Sequence, residues 1–138
     1  MRLHQSFSNG LFVFILIAAP LLAHHSIAVG FDATKATTIQ GVITKVELVN
    51  PHVWVTLETK DANGSISSWH IEIASPNSLN RDGIRKDIFE LAKPCSMEIW
   101  PARDGSKTAS GRMLTFADGR RFDVHDKFSD AFLSVPAN

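Results

Sequence analysis

From Thr37 onward, apolar and polar residues alternate with a period of two, the repeat of a chain whose side chains point to opposite faces of a sheet. The run VWVTLET puts Val53, Val55 and Leu57 on one face and Trp54, Thr56 and Glu58 on the other. SISSWHIEI puts Trp69, Ile71 and Ile73 inward, with His70 and Glu72 outward. Parity tests the hairpin between them. Opposed residues share a face, so odd positions must meet odd positions and the loop has an odd length. A two-residue Asn63-Gly64 turn sets Leu57 against His70 and fails. A three-residue loop, Ala62-Asn63-Gly64, with Gly64 left-handed, sets Leu57 against Trp69 and Val55 against Ile71.

The preceding run, TTIQGVITKVELV, is apolar on both faces. Val42, Val46 and Leu48 lie on one side with Thr44, and Ile39 and Ile43 lie on the other. Gly41 allows a bend there. A long, bent first strand belongs where a sheet curls into a barrel. After the third strand, SPNSLNRDG reads as a short helix, with Ser75 as cap, Pro76 at the first helical position and Gly83 as the stop. KDIFELAKP adds one more turn. CSMEIW is a fourth strand with Cys95, Met97 and Ile99 inward, and PARDGSKTASG is a polar loop. RMLTF and RFDVH form a last hairpin around Asp118-Gly119-Arg120, in which Phe116 meets Phe122 and Leu114 meets Val124.

Three strands, a helical connection, then two or three strands is the element order of a five- to six-stranded Greek-key barrel like the oligonucleotide/oligosaccharide-binding (OB) fold. The alternative is an open antiparallel sheet or a small sandwich. The barrel domain spans residues 37–126, preceded by a lead-in at 24–36 and followed by a tail at 127–138. The tail's Phe128, Phe132 and Leu133 give it reason to pack back.

Residues 1–23 read differently. Met1-Arg2 starts the chain with one positive charge, and the apolar run LFVFILIAAPLLA follows. That is the layout of a secretory signal cut after a small residue, here Ala23. The run is short of the roughly 20 apolar residues of a spanning helix. The expected product is a periplasmic or secreted chain of 115 residues without a stable membrane anchor, beginning at His24. Acidic and basic residues balance at 14 each in the full chain. That balance argues against nucleic acid as a partner. A lone Cys95 allows no internal disulfide, so stability must come from a packed core.

The mature start HHS (His24-His25-Ser26), followed closely by Phe31-Asp32, resembles a family of small uncharacterised exported bacterial proteins, domain of unknown function family 6152. The resemblance continues through GVITKVELVNPHVWV, SWHIEIASPNSLNRDG, PARDGS and LTFADGR. Ile84 replaces an aromatic, and Lys93-Pro94 a Gly-Asp turn. The resemblance implies a fold and an export route, and no activity.

Chemistry enters with the histidines. A mature chain starting at His24 would carry an α-amine and an imidazole on one residue, which close a six-membered chelate around a metal. Nitrogen donors of this kind favour Cu(II). His25 offers a second imidazole. Asp123 and His125 share the solvent face of the last strand, and with His24 and His25 they form a candidate copper site. The blander reading is a plain chain terminus beside an exposed strand end. His52 follows Asn50-Pro51, where an imidazole bonds to turn backbone. His70 has Glu72 or a neighbouring strand as partner. His52 and His70 are expected roughly 13 Å apart, too far to share one ion.

Trp54 lies opposite Glu72, so His52, Trp54 and His70 mark a second candidate: a metal-free face for a small molecule, glycan or protein partner. Trp100 also has outward parity, while Trp69 has core parity. No nucleophile, base and orienting group assemble, and Cys95 points inward where thiols are inert. A binding module is expected, not an enzyme.

Overall fold

The computed structural model describes residues 30–127. Six strands follow in chain order: β1 (Thr37–Glu47), β2 (Val53–Lys60), β3 (Ile66–Ile73), β4 (Pro94–Pro101), β5 (Thr108–Phe116) and β6 (Arg121–Asp123). One helix, α1 (Pro76–Arg81), lies between β3 and β4, and short 3₁₀ turns occupy Ala33–Lys35 and Lys86–Ile88. The strand order is β3-β2-β1-β4-β5-β6, and a parallel pairing of β3 with β5 closes the first five strands into a barrel. The fold is therefore a small OB-like barrel with one extra strand and a short helix, not an open sheet or a sandwich.

β1 makes the closure. Its first half pairs with β4, from Thr37 opposite Ile99 to Val42 opposite Pro94. Its second half pairs with β2, from Val42 opposite Glu58 to Glu47 opposite Trp54. Between Ile43 and Lys45 the register slips, so Thr44 is an extra residue. Such a bulge bends a strand and reverses which residues face the core. It explains the doubly apolar pattern. Ile39 and Ile43 face the core before the slip, and Val46 packs against it afterwards. The expected grouping of Val42, Val46 and Leu48 on one face is corrected accordingly, and Leu48 is exposed.

The β2–β3 register is the odd-loop one. Leu57 faces Trp69, Val55 faces Ile71, and Gly64 is left-handed at φ 85°. The last hairpin differs from expectation by two residues. Leu114 meets Phe122, and the Phe116 amide donates to the Arg120 carbonyl across a left-handed Gly119. A shift of two preserves parity, so Phe116 and Val124 stay buried and the Phe116 and Phe122 rings meet edge to face at 6.2 Å.

Ile43, Leu57, Ile71, Met97, Ile99 and Leu114 are fully buried. Each contributes about 1.5–3 kcal/mol by leaving water. α1 begins where the caps predict: the Ser75 hydroxyl oxygen accepts from the Ser78 amide, and Pro76 opens the helix. Its Leu79, with Ile84 beyond the left-handed Gly83, joins the core. Pro94 opens β4 instead of merely ending the turn before it. Ahead of β1, Phe31 bridges to Ala102, and the buried Asp32 carboxylate accepts from the Thr34 amide.

Candidate functional site

Strand alternation sends His52, Trp54 and Thr56 of the β2 stretch to the outside of the barrel, with His70 and Glu72 beside them on β3. In the direction across the strands, Glu47, Trp54, Glu72, Ser110 and Trp100 occupy matching register positions on β1, β2, β3, β5 and β4. Trp54 leans diagonally onto His70. The two rings lie 4.4 Å apart at 16°, a stacked pair. The Glu47 carboxylate approaches the far nitrogen of His70 at 3.7 Å and is itself held by Lys45 at 2.8 Å. The hydrogen bond from Lys45 is the main reason the Glu47 pKa is lowered. His70 thus takes Glu47 as partner, and not Glu72.

Glu72 goes to His52. Nδ1 of His52 contacts the Glu72 carboxylate, and Nε2 lies 3.2 Å from Oδ2 of Asp126. The His52 side chain is 23% exposed, and its partners are 17% and 14% exposed. A neutral imidazole has one N–H and one lone pair. It satisfies one carboxylate and points a lone pair at the other. Only the imidazolium satisfies both. The Glu72 hydrogen bond accordingly raises the His52 pKa above its ordinary value, with burial opposing and the Glu72 and Asp126 charges adding to the rise. The expected backbone role of His52 gives way to this clamp. It fastens the entry to β2, the end of β3 and the chain after β6 to one side chain.

Asp123 and His125 do come together, with the Asp123 carboxylate on Nδ1 of His125. Lys127 joins them, bonding Asp82 at 2.7 Å and approaching Asp123 at 3.9 Å. His24 and His25 lie outside the described residues. Among the described residues no group of three His, Cys, Asp or Glu side chains converges as a metal cage would require.

The other two tryptophans have local partners. The Arg112 guanidinium lies 3.9 Å from the Trp100 ring centre, and the Lys107 ammonium 4.8 Å from that of Trp69. Cys95 is 7% exposed, and burial pushes its thiol pKa up, away from the reactive thiolate.

Glu47 and Asp126 belong to the site and have no signature in the sequence. Glu47 becomes a neighbour of Trp54 only through the Thr44 bulge. Asp126 reaches His52 across 74 positions. Glu72 lies opposite Trp54 as parity predicts, and its diagonal reach to His52 decides its partner. Diagonal neighbours on a sheet are within reach of long side chains.

No curated protein and no solved structure matches the chain. A family model does match, over residues 13–111, which takes in His52, Trp54, His70 and Glu72 and stops before Asp123. With most of its length inside that match, the chain belongs to the family of unknown function DUF6152.

Proposed function

We propose that this protein is an exported binding module that holds a small molecule, glycan or protein partner on the outer face of β2 and β3, and that it binds its partner without transforming it. The observation carrying this reading is the flat stack of Trp54 on His70 beside the doubly held His52. A stacked aromatic pair is a firm apolar plane, and carboxylates at its margin supply directed acceptors, the combination that recognises a sugar or another flat polar ligand. Export rests on residues 1–23, and a mass spectrum of the extracytoplasmic protein checks it by finding a chain that starts at His24. For the face itself, the mature chain is passed over arrays of glycans and small metabolites. A bound ligand should lose about tenfold or more in affinity on Trp54→Ala, equivalent to about 1.4 kcal/mol. A ligand indifferent to that change overturns the assignment.

A second reading is copper handling through His24 and His25 with Asp123 and His125. The Asp123–His125 contact favours it, because it sets a carboxylate and an imidazole side by side. Copper titration of the processed chain should give tight binding that one extra residue ahead of His24 removes. Equal affinity in both forms ends this reading.

A further inference from the structure

At the mouth of the barrel away from Trp54 lies a hollow of about 630 Å³. It is formed where the end of β2, the start of β3, the middle of β1, the start of β4 and the end of β5 converge. Its walls include Val42, Ile66, Pro94, Phe116 and Ala117, with the buried Cys95 also lining it. Ile66 is 67% exposed, the most exposed large apolar residue among the described residues. The volume lies within the range of about 300–1,000 Å³ usual for small-molecule sites, and Gln40, Thr59, Ser96 and Thr115 set uncharged polar groups among the apolar walls.

The charges at the margin narrow the ligand. Glu58 and Lys60 both line the hollow. They stand two apart on β2 and so share a face. No ion pair engages either among the described residues. One charge of each sign leaves the margin without net charge, as a dipole along β2. The margin therefore favours neither a cationic nor an anionic head, and the apolar walls offer contact to an uncharged occupant.

We propose that this hollow is a second binding site, distinct from the β2–β3 face, for an uncharged apolar small molecule such as an aromatic compound or a short acyl ester. Phe116 supplies a ring in the wall, backed by its edge-to-face contact with Phe122. Gly41 contributes only backbone to the lining, because any side chain there would collide with β2. Ile66 adds an exposed aliphatic wall.

The test uses Nile red, an uncharged apolar dye, with the mature full chain. The dye should brighten and saturate with the protein. Methyl decanoate should displace it, and neither decanoate nor decylamine should do so more than about threefold better. Ile66→Asp removes the exposed wall, and Ala117→Trp fills the hollow from an exposed turn. Either should weaken the dye about tenfold or more while the circular dichroism spectrum stays unchanged. Trp54→Ala should leave it bound, which separates this site from the β2–β3 face. Absence of saturable binding overturns the proposal. So does binding that survives both Ile66→Asp and Ala117→Trp, or that disappears in Trp54→Ala. A clear preference for the acid or the amine overturns the assignment of an uncharged ligand.

Discussion

Gly41→Ala should destabilise the barrel by about 3 kcal/mol, the upper part of the range for overpacking. A Cβ built on Gly41 falls 2.0 Å from the carbonyl oxygen of Glu58 and 2.8 Å from its carbon. These are backbone atoms of β2, so no rotamer change relieves the contact. Either β1 and β2 separate or the bend moves. Both damage the place where β1 passes from β4 to β2, and with it the closure of the barrel. For a domain of about 100 residues, 3 kcal/mol lowers the melting midpoint by about 15 °C. Gly30→Ala is the control, since a Cβ there meets nothing within 4 Å. Thermal melts of the two variants against the parent measure the difference. A loss below about 0.5 kcal/mol for Gly41→Ala would show that the strands are not held at this spacing.

His52→Gln should cost about 2 kcal/mol at pH 6, and the cost should shrink as the pH rises. Removing one member of a paired, buried set costs about 3–5 kcal/mol, reduced here because the clamp is partly exposed. The variant leaves Glu72 and Asp126 without the cation between them. The sign of the pH dependence follows from the direction of the shift. The folded protein raises the His52 pKa above the ordinary 6.5. Folding therefore takes up a proton, and the clamp's contribution is complete below pH 6.5. It is lost as the pH climbs through the higher, folded-state value. Urea midpoints at pH 5.5, 7 and 8.5 should converge for parent and variant toward the alkaline end. A gap that is constant or widens with pH contradicts an imidazolium held by two carboxylates.

Much of the barrel was legible because strand alternation has a period of two and caps are chemical. The β2–β3 register followed from parity and one left-handed glycine. The start of α1 followed from Ser75 and Pro76. Parity has a blind spot that the β5–β6 hairpin exposes. A slip of two residues keeps every side chain on its face, so Phe116 opposite Phe122 and Leu114 opposite Phe122 are equally consistent with the pattern. Turn geometry chose between them. β1 failed for a related reason. A bulge at Thr44 inverts parity midway, and nothing in TTIQGVITKVELV announces which residue will be the extra one.

The candidate site was legible as a group of outward-facing residues and not as a set of contacts. His52, Trp54 and His70 were grouped by outward parity alone. Which carboxylate each imidazole takes depends on diagonal reach, on the bulge beneath Glu47 and on the return of the chain after β6 to bring Asp126 to His52. All three are tertiary facts with no local signature. Trp54 and His70 sit diagonally on neighbouring strands, and only the three-dimensional arrangement brings their rings face to face.

On the proposed assignment, the outer face of β2 and β3 meets the partner. Backbone amide NMR of the chain from His24 onward, titrated with the strongest glycan or metabolite from the arrays, reads the contact residue by residue. The largest shift changes should cluster at Glu47, Trp54, His70 and Glu72, and fade in the Trp54→Ala protein. Changes confined to Ile66, Phe116 and their neighbours at the other mouth, with the β2–β3 face silent, would contradict it.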